Sequence, residues 1–119
     1  RVGYANAGHN PALVIRASGE VERLFATGTP LGVLPAARYA AAEVTLAPGE
    51  CLVLYTDGIV EATNPDDEEY GLERMIETVV RHRREALDQL ARALGADLEA
   101  FVRGVPFADD RTLVLARRR

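Results

Sequence analysis

The feature that most constrains the fold is an uninterrupted apolar run at Cys51–Tyr55, which reads Cys-Leu-Val-Leu-Tyr. The run has the length of a strand, and a strand of consecutive apolar side chains is typical of the centre of a sheet that is covered on both faces. A turn sequence with a proline followed by a glycine precedes it at 47–50, as a type II turn prefers. The sequence therefore predicts a buried central strand over 51–56.

The rest of the chain divides into short strands, two adjacent helices and a last strand. Apolar residues recur at helical spacing in two segments. Gly95 lies within the second segment, and a kink or break there is one alternative, since glycine lowers helix stability by about 1 kcal/mol. The turn formers Gly8-His9-Asn10-Pro11 predict a hairpin between the first two strands. We predict strands near 2–7, 12–16, 21–25, 43–46, 51–56 and 112–116, and helices near 72–83 and 86–102. This order predicts an α+β fold with the helices on one face of a mostly antiparallel sheet.

Composition excludes several function classes. The 14 basic residues among 119 are all arginine, so chemistry that needs a lysine of this chain is excluded. The net charge of −4 argues against nucleic acid as a partner. A single cysteine forms no internal disulfide and favours a reducing compartment, so we expect a cytoplasmic protein. No apolar run reaches the roughly 20 residues of a membrane helix, so we expect no membrane segment.

Carboxylates stand beside two of the predicted strands. Asp57-Gly58 follows the central strand directly, and Asp109-Asp110 directly precedes the last one. If these two strands are antiparallel neighbours, Asp57 and Asp109 meet at one edge of the sheet. Two carboxylates repel each other there unless a cation lies between them, and oxygen ligands suit Mg²⁺ or Mn²⁺. The alternative is that both are ordinary turn residues.

Six strings of the chain, in this order, resemble the motifs of the PPM-type (type 2C) serine/threonine phosphatases, and in particular the bacterial SpoIIE-like branch. From the first to the last they span nearly all of the chain: Asn6–Pro11 (NAGHNP), Gly28–Gly32 (GTPLG), Pro48–Glu50 (PGE), Leu54–Ala62 (LYTDGIVEA), Tyr70–Arg74 (YGLER) and Asp109–Thr112 (DDRT).

The resemblance implies a layered α-β-β-α sandwich and a site for two divalent cations, Mn²⁺ or Mg²⁺. It implies that Asp57 and Asp109 are metal ligands, and no catalytic residue beyond the metal ligands is assigned. Thr56, Gly58 and Asp110 would support them through hydrogen bonds or backbone geometry. The implied reaction is hydrolysis of phosphoserine or phosphothreonine by a metal-activated water. The implied substrate is a phosphorylated anti-sigma-factor antagonist in a bacterial switch.

One motif of that family does not occur in these residues. It is an Asp-Gly pair on an earlier strand, whose aspartate bridges both ions. We therefore expect residues 1–119 to be the C-terminal portion of a single phosphatase domain, incomplete by itself, with an uncovered sheet face that favours dimerisation. The alternative is a phosphatase-like module that binds a regulatory partner without turnover. An upstream Asp-Gly would favour catalysis.

Other polar residues have a functional and a simpler interpretation. His9 could donate a proton to a leaving group, or could be a turn residue. His82 and the arginines around it at 81–84 predict a solvated helix end, although such a cluster could attract an acidic partner or a phosphate. The acidic residues at 66–69 lack EF-hand spacing and predict a solvated loop. Cys51 is expected to be buried and inert.

Overall fold

The computed structural model describes residues 2–4, 12–24, 42–107 and 110–119. Within these ranges the chain forms an α+β layer of strands and helices, as the sequence predicts. The elements in chain order are β1 Val2–Tyr4, β2 Ala12–Ile15, β3 Val21–Leu24, β4 Ala42–Val44, β5 Cys51–Tyr55, α1 Asp57–Val60, α2 Leu72–Arg81, α3 Leu87–Val102 and β6 Leu113–Arg117.

The main sheet has four antiparallel strands in the order β3-β2-β5-β6. β5 is an inner strand, and Tyr55 at its end is opposite Leu113 at the start of β6. The predicted antiparallel pairing of the central and last strands is confirmed. The end of β5 and the start of β6 therefore lie at the same edge of the sheet.

Both long helices cover one face of this sheet. α2 and α3 each present one apolar stripe, because their apolar residues recur every three to four positions. Every second residue of the strands reaches the same layer, as the pleat requires. The buried core members are Leu13, Ile15, Cys51, Val53, Tyr55, Ile59, Ala62, Tyr70, Met75, Val79, Leu90, Leu94, Leu98 and Val102.

The opposite face of the sheet is only partly covered. Val14 and Leu24 pack with Val44 and Leu46 in a second, smaller cluster. On the same face but nearer to β6, Leu54 is 43% exposed and Val114 is 48% exposed. The central strand is therefore covered on its helix face, and at Leu54 its other face is exposed, in line with the uncovered sheet face expected for residues 1–119.

Two further details differ from the sequence-based prediction, and the structure also decides whether the second long helix is broken at Gly95. In the described residues β1 pairs with β4 in a separate two-stranded sheet and not with β2, whereas the predicted hairpin turn at 8–11 lies outside the described residues. The residues after β5 form the short helix α1, which is not among the helices predicted from the sequence. α3 runs without interruption through Gly95, because its apolar stripe packs on the sheet on both sides of that position. Among the described residues, each helix is too short or too polar to span a lipid bilayer.

Candidate metal centre

Asp57 lies where the central strand becomes a helix. Thr56 is extended, with φ −105° and ψ 162°, and Asp57 is the first residue of α1. Its side chain is exposed at the edge of the sheet. Asp57 is also engaged in a bonding or electrostatic interaction within the protein. A buried strand thus ends in a carboxylate that solvent and a ligand can reach.

Gly58 is buried and lies against the backbone that enters β6. A β-carbon at position 58 would lie 2.0 Å from the carbonyl oxygen of Asp110 and 3.2 Å from the amide nitrogen of Arg111. Both neighbours are main-chain atoms, so a change of rotamer gives no relief. Glycine is therefore required for this close approach.

Thr56 joins the two segments by hydrogen bonds. Its amide donates to the Thr112 carbonyl (3.1 Å), and the Thr112 amide donates to its Oγ1 (2.9 Å). The same hydroxyl donates to the carbonyl oxygen of Asp110 (3.3 Å). These bonds extend the β5–β6 ladder beyond its last strand pair and fix the backbone of 110–112 beside Asp57.

Arg111 fixes the same segment from the helix side, a role that the sequence-based reasoning missed. Its guanidinium lies 3.7 Å from the centre of the Phe107 ring and donates to Glu99 on α3 (2.8 Å). Stacking on an aromatic face restrains an arginine. The sequence signal that could have indicated this contact is the presence of Phe107 and Arg111 on either side of the acidic pair.

The predicted site residues are thus divided between described and undescribed positions. Thr56, Asp57, Gly58 and Asp110 come together at one edge, and Asp110 is exposed like Asp57. Asp109 lies outside the described residues. In the part of the chain that the structure describes, no three His, Cys, Asp or Glu side chains form a cluster that could hold an ion. The donors present fit part of a Mg²⁺ or Mn²⁺ site, because they are hard oxygens reachable from solvent.

The simpler interpretations hold for most other polar residues. The exposed acidic loop at 66–69 is organised by Asn64, whose Oδ1 accepts from the amides of Asp66 (3.0 Å) and Glu68 (2.9 Å). Cys51 is buried, and burial raises the pKa of its thiol. His82 pairs with Glu85 instead of being fully solvated. His9 lies outside the described residues.

Tyr70 is a second residue that sequence reasoning left without a role. It is fully buried before α2, and its hydroxyl donates to Asp97 of α3 (2.5 Å). Burial and this carboxylate raise the pKa of Tyr70, so the hydroxyl stays a donor. Its ring meets Phe101 edge-on at 5.4 Å. Tyr70 therefore joins the loop after α1 to the helical layer.

Comparison with known proteins shows which family the chain resembles. Residues 1–119 match the family model described as Stage II sporulation protein E (SpoIIE). The chain is 30% identical over 118 residues to Protein IcfG of Synechocystis, covering 97% of this chain and 18% of that protein. It is 32% identical over 97 residues to phosphoserine phosphatase RsbP of Bacillus subtilis, covering 72% of this chain and 24% of RsbP.

The fold has a close structural counterpart as well. The SiaA-PP2C domain of Pseudomonas aeruginosa superimposes with a TM-score of 0.86 at 26% identity, covering 98% of this chain and 46% of that one. The chain spans about a fifth to a quarter of the length of the two curated relatives. The match over all its residues, together with this fold, shows that the chain belongs to the SpoIIE family of PPM-type phosphatases.

Proposed function

We propose that the protein uses Mg²⁺ or Mn²⁺ to hydrolyse phosphoserine or phosphothreonine on a bacterial regulatory protein. Family membership and the similarity to RsbP, which is named a phosphoserine phosphatase, support the reaction class. The exposed oxygen donors at the end of β5 support the choice of metal.

The single observation that carries this proposal is the close approach of Gly58 to the Asp110 carbonyl. Contact between main chains brings Gly58, and with it Asp57, beside Asp110, and this contact supports a shared site for Asp57 and the acidic pair. A turn that served only to reverse the chain would not need such contact with a distant segment. The edge gathers negative charge that a divalent cation would neutralise.

The residues of the edge have separate tasks. Asp57 and Asp109 would hold the cations, and no residue of this chain is assigned as acid or base beyond these ligands. Thr56, Gly58 and Asp110 position them through the backbone contacts described above. Two divalent cations held there would supply activation of water and neutralisation of charge at phosphorus.

The complete centre requires more than these residues. We place residues 1–119 as the C-terminal portion of one phosphatase domain, with a further bridging aspartate contributed by an upstream segment. The exposure of Leu54 and Val114 supports this proposal, because a second layer over that face would cover both. The small share of its relatives that the chain spans is consistent with it.

The substrate would be a phosphorylated partner protein in a cytoplasmic sigma-factor switch. The substrate we propose within such a switch is an anti-sigma-factor antagonist. Membership of the SpoIIE family supports this pathway, and the acidic charge of the chain is consistent with a protein rather than a nucleic acid as partner.

Hydrolysis of a phosphoserine protein in the presence of Mn²⁺ tests the proposal in the full-length protein. We expect Asp57→Asn to reduce the rate close to background, because the change keeps the shape but removes a charge that balances the cations. Asp66→Asn in the exposed loop removes the same charge and is the matched control. Full activity of Asp57→Asn, or wild-type protein that binds its partner without turnover, would contradict the proposal.

A further inference from the structure

A cavity lined by arginines lies at the edge of the sheet opposite the metal centre. Its volume is about 280 Å³, and we call it the arginine pocket. Cys51, where β5 begins, forms part of its lining, whereas Asp57 follows the other end of that strand. Six residues of extended chain separate these positions by about 20 Å. The lining residues are Ile15, Arg16, Ala17, Gly49, Cys51, Arg83, Arg84 and Arg117.

Positive charge in the arginine pocket exceeds the negative charge beside it. Arg16 is paired with two carboxylates, Glu22 and Glu50. In the part of the chain that the structure describes, Arg83, Arg84 and Arg117 have no carboxylate partner. Three uncompensated guanidinium groups thus share one cavity in a chain whose net charge is −4.

Most of the donors on these three groups are unused. Arg83 donates one hydrogen bond to the Val80 carbonyl (2.8 Å), and Arg117 donates one to the Arg83 carbonyl (3.1 Å). The Nε atoms of both are buried without a partner among the described residues. Each guanidinium has five N–H donors. Stabilisation of the C-terminal end of α2 therefore accounts for one bond each from Arg83 and Arg117 and leaves the other donors of the three groups unexplained.

The turn at 16–19 closes one side of the cavity against this cluster. The position of a β-carbon on Gly19 would lie 3.3 Å from the guanidinium carbon of Arg83, and Gly19 has φ +95°. The turn is fixed by the Gly19 amide, which donates to the Arg16 carbonyl (2.9 Å). Glu50 holds the same turn through the Ala17 amide (3.0 Å). The pocket is therefore built from fixed backbone on one side and arginines on the other.

We infer that the arginine pocket binds a phosphoryl group, at a site separate from the metal centre. Guanidinium groups match the oxygens of phosphate in pairs, and such charge-assisted bonds are stronger than neutral ones. A doubly charged phosphoryl group compensates the cluster better than a single carboxylate does. One water occupies about 30 Å³ of liquid, so the cavity has room for a phosphate with part of its hydration. The group is either free phosphate or the phosphoryl of a phosphoserine.

Calorimetric titration of inorganic phosphate into full-length Asp57→Asn protein, at constant ionic strength, tests this inference. The Asp57→Asn substitution weakens the metal centre, so the phosphate binding that is measured can be assigned to the arginine pocket. Adding Arg84→Gln removes a guanidinium that makes no hydrogen bond within the described residues and leaves the fold intact. We expect it to weaken phosphate binding roughly tenfold, the scale of one charge-assisted bond. Arg92→Gln, an exposed change of the same charge on α3, is the control and should have no effect.

Phosphoserine and acetate complete the experiment. Phosphoserine binding that is at least as tight as phosphate identifies a phosphorylated protein as the source, and weaker binding identifies the free anion. Absence of phosphate binding, equal affinity in the Arg84→Gln and Arg92→Gln variants, or equally tight acetate binding would overturn the inference. Because Arg84 is remote from Asp57, these outcomes do not depend on whether the proposed phosphatase activity is found.

Discussion

The backbone of Gly58 lies against the carbonyl of Asp110 so closely that a β-carbon on Gly58 would be 2.0 Å from that oxygen. This contact joins the end of the central strand to the entry of the last strand. It also explains why an Asp-Gly pair, rather than an aspartate alone, follows β5.

Substitution of Gly58 by alanine should therefore be costly. The clash is with main-chain atoms, so we expect Gly58→Ala to destabilise the protein by at least about 1–3 kcal/mol, as overpacking does, and to reduce phosphatase activity. Gly95→Ala is the matched control, because its β-carbon would meet nothing within 4 Å. Removing glycine from a helix interior should stabilise the protein by about 0.5–1 kcal/mol. Urea denaturation measures both, and equal stability of the two variants would contradict the account.

The hydroxyl of Thr56 should matter more than its size. Thr56→Val removes the acceptor for the Thr112 amide and the donor to the Asp110 carbonyl. We expect a loss of about 1 kcal/mol and a higher Mn²⁺ concentration for half-maximal activity, because the segment that carries Asp109 is held less firmly. Thr56→Ser keeps the hydroxyl and should restore the Mn²⁺ dependence. Failure of serine to restore it would show that the hydroxyl does not position the metal ligands.

Glu50 should make stability depend on pH in the acid range. Amide donors from Ala47 and Ala17, and then the guanidinium of Arg16, lower the pKa of this carboxyl. A lowered native pKa stabilises the fold above the ordinary glutamate value of about 4.3, and that stabilisation is lost as pH falls through the native pKa. Glu50→Gln should thus melt at a lower temperature than wild type at pH 7, and the difference in melting temperature should shrink as pH falls through the lowered native pKa of Glu50. A gap that stays constant with pH would contradict this role.

The uncovered face of the main sheet should make the isolated 119 residues associate. Leu54 and Val114 lie exposed on neighbouring strands, directly opposite one another in the register. Exposed apolar patches of this kind favour self-association. We expect the double substitution Leu54→Lys, Val114→Lys to shift sedimentation from dimer towards monomer, whereas Arg92→Gln should not. If the isolated residues 1–119 without substitutions sediment as a monomer at high concentration, this would contradict the proposal that another layer covers this face.

Much of the fold could be predicted from sequence because its signals are local. The apolar run of β5 and the helical periodicity of α2 and α3 each lie within a few consecutive residues. The partner of β1 could not be predicted, since a turn sequence indicates a reversal but not which distant strand pairs. The exposure of Leu54 also depends on what covers the sheet, which the apolar run itself does not specify.

The same distinction applies to the candidate sites. The Asp57 edge was predictable because antiparallel neighbours bring strand ends together. The hydrogen bonds of Thr56 and the stacking of Arg111 on Phe107 depend on side-chain placement that the sequence does not encode locally. The arginine pocket gathers residues from β2, β6 and the end of α2. Only the cluster at 81–84 was visible beforehand, and its partners across the sheet were not.

Affinity for Mn²⁺ tests the central claim most directly, because it asks whether Asp57 holds a metal without relying on any substrate. Calorimetric titration of Mn²⁺ into the full-length wild type, Asp57→Asn and Asp66→Asn separates a ligand from an exposed carboxylate of equal charge. We predict that Asp57→Asn weakens Mn²⁺ binding by more than roughly tenfold, since even residues that only orient a ligand contribute that much. Asp66→Asn should bind like wild type. Unchanged Mn²⁺ affinity in folded Asp57→Asn would contradict the account.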